Sequence, residues 1–241
     1  MKDLSLQDHL TDLRKAAIRT LIIISVSVIL TYSVSDYISE ILLKSLRTAL
    51  QNGSGKIVYL GVFDKMVSQM QVSLWSGIVF SAPLWFREVW LFIKPGLYEK
   101  EIKFVRPFMY IGLILFWAGV LFGFFVVFPV TLNVLMQFGV SNVEANINLK
   151  DYIILSCKVY VFLGLCFQIP NVLLILGFLG VVNSSFLIEK RKYVHIALMI
   201  IAAVVSPPDV ISMFALWIPL SLLYELGILA QRIFVRKKTI S

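Results

Sequence analysis

Cysteine, histidine and acidic side chains are all scarce in this 241-residue sequence, and each scarcity removes a class of function. The two cysteines, Cys157 and Cys166, fall nine residues apart in one apolar run. On a helix rising about 1.5 Å per residue they stand roughly 13 Å apart, beyond the roughly 7 Å between Cα atoms that a disulfide tolerates. They read as small core hydrophobes and are silent on redox compartment. The two histidines, His9 and His195, lie far apart without an evident acidic or serine partner, so structural, hydrogen-bonded roles are expected for both. No ATP-binding P-loop, HExxH zinc motif, GxSxG elbow or Cys/His cluster occurs. Accordingly no metal, no cofactor and no enzymatic activity is expected. No internal repeat is visible either, which leaves an inverted-repeat transporter without support.

Charge is the other shortage. Only 15% of residues are charged while 59% are hydrophobic, against about 45–50% apolar in an average soluble domain. The fold class this implies is an all-α polytopic membrane protein. A net charge of +8 is compatible with nucleic-acid binding, but the basic residues are grouped between apolar spans, as the positive-inside rule produces without such a partner. No nucleic-acid partner is expected.

What is present is a series of apolar runs with organised breaks. Residues 4 to 17 place Leu6, Leu10, Leu13 and Ala17 on one helical face, which predicts an amphipathic helix lying at the membrane surface. The spans are expected at about 18–35, 66–88, 106–136, 152–179, 193–206 and 210–230 of a single membrane domain covering 1–241, and the first is read as an uncleaved span rather than a signal peptide. Asp36 to Leu50 is a second amphipathic, extramembrane helix, and Pro170 predicts a kink in the fourth span. The last two spans look short. Val194 to Val205 covers only about 18 Å of a roughly 30 Å core, and Glu225 interrupts the run after Tyr224. A thinned bilayer and a re-entrant hairpin both remain open for this pair.

The sharpest break runs from Pro83 to Pro107, where Lys94, Glu99, Lys100, Glu101 and Lys103 fall among Trp90, Phe92, Pro95 and Tyr98. Interface aromatics, a Pro-Gly turn and charges of both signs predict a membrane-surface loop that binds something. With alternating sides, the N-terminal segment, this loop, the Lys190 loop and the C-terminal tail hold 4, 5, 3 and 4 Lys or Arg, sixteen of the 22. These segments belong in the cytoplasm, with both termini. Inside the bilayer Glu225 needs a partner, and Arg232 is within reach in sequence; Lys158 is expected to snorkel outward.

His9 to Arg14 (HLTDLR), Ser81-Ala82-Pro83, Trp90 to Glu101 (WLFIKPGLYEKE), Phe128-Pro129, Phe167 to Pro170 (FQIP), Ser206 to Asp209 (SPPD) and Tyr224-Glu225 follow one another at informative spacings. In this order they resemble TatC, the large subunit of the bacterial twin-arginine protein translocase, over nearly the whole chain from about residue 6 to 232. Any one motif alone is weak; the combination is highly specific.

The resemblance implies six transmembrane helices in a concave arrangement, the last two short, in the bacterial cytoplasmic membrane. It implies a receptor for twin-Arg signal peptides of folded precursors, exporting them at the expense of the proton-motive force, with TatA- and TatB-type subunits, further copies of itself and membrane lipid as partners. Asp12 and Glu101 are then the carboxylates that read the paired arginines, and Arg14, Pro83, Phe92, Pro95 and Tyr98 shape the site. A guanidinium presents a planar fork that a carboxylate accepts bidentately, which an ammonium cannot imitate. Gln168, Ser206 and Glu225 are the intramembrane polar and partner-contact candidates. Two departures stand out: Asp12 replaces the family's usual Glu, and Gln168 stands where many members carry Glu, so it cannot relay a proton by ionising. Val204, Val205 and Met213 make the expected partner edge more apolar. The rival readings are a solute or ion transporter with an intramembrane Gln168/Glu225 site and a scaffold with no substrate site.

Overall fold

The computed structural model describes residues 6–51, 55–96, 99–137, 145–206 and 209–234, and its side chains are described for most of these. Helix α1, Leu6–Tyr32, is continuous through the junction at which the sequence predicts a surface helix followed by a span. Nothing in the sequence breaks it: no Gly or Pro lies between Leu6 and Tyr32, so the amphipathic turns simply extend the apolar ones. Helix α2, Ser35–Gln51, turns away by 79° after a two-residue break, its Ser35 buried and its apolar face carrying Leu42 and Leu46 into the core.

Strand β1, Gly55–Val58, pairs in parallel with β2, Ala145–Asn148, in the register Lys56 with Asn146 and Ile57 with Ile147. The sequence marks both stretches only as polar loops. Between them lie α3, Asp64–Phe80, and α4, Ala82–Ile93, bent by 53° at Ser81 where Pro83 enters the first turn of α4. Proline fits there because first-turn N–H groups have no intrahelical acceptor. Helix α5, Glu99–Phe122, passes through a five-residue π-turn, Gly123–Val127, into α6, Phe128–Gln137.

Helix α7, Leu149–Cys166, and α8, Ile169–Phe178, form one span broken at Phe167-Gln168, where Pro170 sits in the first turn of α8. Gly180, at φ +71°, supplies the left-handed residue that ends α8. The short α9, Ser184–Glu189, leads into α10, Arg191–Val205, and α11, Val210–Phe234.

Among the described residues three stretches are long and apolar enough to cross a membrane, Val105–Val134, Leu149–Phe178 and Val210–Phe234, and the two bent pairs bring the number to five if each is one span. With α10 this makes a polytopic all-helical membrane protein of six helical segments. The last two differ from expectation in one respect. Helix α10 is short at 15 residues, but α11 runs 25 residues, about 37 Å, straight through Glu225. Glu225 is paired, which removes the reason for the helix to stop there.

Close approaches at glycine hold the spans together. A Cβ at Gly77 would come within 2.9 Å of the Val28 backbone on α1, and one at Gly119 would meet the Leu163 carbonyl of α7 at 2.7 Å. Such contacts let backbones pack where lipid gives no hydrophobic drive to association. Polar ties add to them: Thr31 donates to the Ser73 carbonyl at 2.8 Å, Tyr152 to the Leu42 carbonyl at 2.8 Å, and Tyr224 to the Leu187 carbonyl at 2.8 Å. The outward faces remain apolar, as Leu21, Ile29 and Leu30 of α1 illustrate.

Candidate functional site

Asp12 and Arg14 stand exposed on the first turns of α1. Two turns further on, Arg19 Nη1 lies 3.7 Å from Glu88 Oε2 of α4, whose side chain is only 11% exposed. This contact ties the charged end of α1 to α4, and sequence reading passed over Glu88 because the helix around it shows no motif. Helix α4 then carries half-buried Phe92 up to the one-turn 3₁₀ segment Lys94–Gly96, where Pro95 is exposed. Pro83 lies at the opposite end of α4, exposed at the bend.

The charged stretch is more ordered than a loop. Glu99, Lys100, Glu101 and Lys103 belong to the opening turns of α5, so the connection proper spans only residues 94–98. Tyr98 and the side chain of Glu101 lie outside the described residues. One short connection joins α4 to α5, and one ion pair, between the middle of α1 and the middle of α4, links α1 to that hairpin.

Gln168 occupies the break between α7 and α8. Its amide nitrogen donates to the Gly112 carbonyl of α5 at 2.8 Å, and its oxygen accepts from Asn171 at 3.4 Å. A Cβ on Gly112 would fall 2.5 Å from the Asn171 nitrogen and 3.3 Å from the Phe86 ring, so α4, α5 and α8 converge on this point. The sequence signal for Asn171 is weak, since it is an isolated polar residue in an apolar run.

At the far end of α10, Ser206 is buried, and its hydroxyl has no hydrogen-bond partner among the described residues. Pro207 and Pro208 lie outside the described residues, while Asp209 Oδ2 accepts from the Ser212 N–H at 2.6 Å and caps α11. Val204 is 80% exposed, so the outer edge beside Ser206 is apolar.

Glu225 does not pair with Arg232. Its Oε2 accepts from Arg191 Nη2 at 2.7 Å and its Oε1 lies 3.4 Å from His195 Nε2, because α10 and α11 are antiparallel neighbours and the start of α10 meets the middle third of α11. His195 therefore has both partners that its sequence context does not reveal, since Nδ1 lies 3.2 Å from Ser221 Oγ. The His9 side chain lies outside the described residues. Both cysteines are free, and no group of His, Cys, Asp and Glu among the described residues is arranged to hold a metal ion.

Residues 8–219 match the family described as the Sec-independent protein translocase protein TatC. The chain belongs to the TatC family. The TatC of Carboxydothermus hydrogenoformans is 34% identical over 241 residues, covering 100% of this chain and 97% of that protein. That of Desulforapulum autotrophicum is 32% identical over 231 residues, covering 96% and 85%. A crystal structure of the twin-arginine translocase receptor TatC superposes with a TM-score of 0.84 at 28% identity, covering 93% of this chain and 98% of the other.

TatC membership makes the chain a membrane-embedded component of the Sec-independent protein translocase, a transport subunit and not an enzyme. As part of that system it works with other Tat subunits. The all-helical polytopic fold expected from the sequence is the fold of this TatC structure.

Proposed function

We propose that this TatC-family protein is the receptor for twin-Arg signal peptides, and that Asp12 and Glu101 accept the two guanidinium groups. The observation that carries this reading is Asp12 standing exposed at the start of a helix that Arg19 and Glu88 fasten to α4, one short turn before the helix that bears Glu101. Arg14, Phe92 and Pro95 belong to this end, Pro83 sets the bend at the start of α4, and Tyr98 is assigned to the site by the family motif alone. Lys and Arg grouping supports cytoplasmic N- and C-termini in the bacterial cytoplasmic membrane, which leaves this end facing newly made precursors. Energy comes from the proton-motive force, and TatA- and TatB-type subunits together with further copies of the chain complete the translocase.

The solute-transport reading is less well supported. The Gln168 amide is committed to Gly112, and the Glu225 carboxylate to Arg191. Ser206, beside exposed Val204, marks an edge on which a partner helix would rest mainly by apolar packing.

Photo-cross-linking of a twin-Arg signal peptide and its twin-Lys variant to the reconstituted protein tests the proposal. The Arg peptide should label the start of α1 and the turn before α5, and Asp12→Ala or Glu101→Ala should each reduce labelling. Equal labelling by the Lys peptide would sink bidentate recognition. Unimpaired export of folded cargo in both alanine variants would instead favour a scaffold.

A further inference from the structure

Between α4 and α5 lies a cavity of about 540 Å³, a size within the usual range of small-molecule sites. Three basic side chains line it, Arg87, Lys94 and Arg106, and no acidic side chain does among the described residues. None of the three forms an ion pair with a described carboxylate. Glu88, next in sequence to Arg87, is buried on the α1 side against Arg19. Among the described residues the mouth of the cavity is thus cationic.

Depth sorts the lining further. Lys94 lies at the end of α4 and Arg87 seven residues below it, about 10 Å along the helix; Arg106 lies seven residues into α5, at a similar depth. Trp90 lies between Lys94 and Arg87 on α4, in the zone where amphipathic rings favour the membrane interface. Beyond Arg87 and Arg106 the lining is Phe86, Met109, Tyr110 and Leu113, apolar but for one phenol. Cations and aromatics over an apolar floor reproduce the profile of a phospholipid, whose phosphate sits above its acyl chains. A signal peptide carrying paired arginines matches the floor but is repelled by the mouth.

We propose that this cavity binds one anionic phospholipid, with Arg87 and Arg106 holding the phosphate, Lys94 the outer headgroup, and an acyl chain lying against Met109 and Leu113. Basic pockets between transmembrane helices bind such headgroups through charge-assisted hydrogen bonds. The site does not depend on the signal-peptide reading; only the choice of the cytoplasmic leaflet rests on the proposed orientation. A bound lipid here would fill the gap between α4 and α5.

Native mass spectrometry of the full-length protein in detergent, titrated with phosphatidylglycerol or phosphatidylcholine of equal chain length, tests the assignment. One phosphatidylglycerol should be retained at least about tenfold more tightly than phosphatidylcholine. The double variant Arg87→Gln/Arg106→Gln should lose that preference, and Arg87→Lys/Arg106→Lys should keep most of it. If the Gln variant does not fold, Leu113→Trp, which fills the floor, should weaken phosphatidylglycerol retention with the charges intact. Equal retention of the two lipids, an unchanged preference in every variant, or displacement of the lipid by inorganic phosphate or by a twin-Arg peptide would each overturn the proposal. Failure of peptide recognition in the Asp12→Ala protein with lipid retention intact would bear on the receptor reading alone.

Discussion

The Gln168 side chain donates to the Gly112 carbonyl at 2.8 Å and so joins two membrane helices at the point where the fourth span is broken. Glycine at 112 lets α8 with Asn171 and α4 with Phe86 both come close to the same spot on α5. Gly112→Ala would insert a methyl group 2.5 Å from the Asn171 nitrogen. A loss of about 1–3 kcal/mol is expected from overpacking, read as a lower thermal midpoint in detergent. Gln168→Leu removes only one hydrogen bond, and should cost about 0.5–1.5 kcal/mol.

Gly119 of α5 and Gly164 of α7 sit in one contact, a Cβ on Gly119 falling 2.9 Å from the Gly164 Cα. Because backbone and not a flexible side chain is the obstacle, Gly119→Leu should separate α5 from α7 and cost about 3 kcal/mol or more. Cysteine pairs placed across the two helices should then fail to cross-link, while pairs between α1 and α3 still form.

Lys150 Nζ lies 2.8 Å from Asp64 Oδ1, and the other Asp64 oxygen accepts from the Gly61 N–H at 2.7 Å. Together with β1 and β2 this bond ties the two long connections on one side of the molecule. Lys150→Met leaves a buried carboxylate without its cation and should lower the thermal midpoint. Exchanging the charges, Asp64→Lys with Lys150→Asp, should recover less than the full loss, since the Gly61 N–H then has no carboxylate to meet. Unaltered melting in Lys150→Met would show that the pair contributes nothing.

Arg191 and Glu225 are 40% and 34% exposed at their side chains, so their pairing is discounted by solvent. A double-mutant cycle with Arg191→Gln and Glu225→Gln should give a coupling of only about 0–1 kcal/mol in detergent. Transfer to bilayers should raise it, because lipid excludes the water that competes for both groups. A coupling that did not change between the two environments would place the pair in water.

Much of this protein was legible in its residues. Apolar runs and basic clusters determine an all-helical polytopic chain, Pro170 determines the break in the fourth span, and the ordered motifs from His9 to Glu225 determine the family, because each depends on local composition or short spacing. Only the tertiary structure decided the partners. Glu225 meets Arg191 and His195 and not Arg232, Arg19 meets Glu88, and two polar connections pair as parallel strands, since each of these depends on which helices lie side by side. Periodicity along one helix carries no information about its neighbour's register. For the same reason the continuity of α1 and the length of α11 emerged late: a charge in an apolar run reads as an end until the side chain that neutralises it is seen.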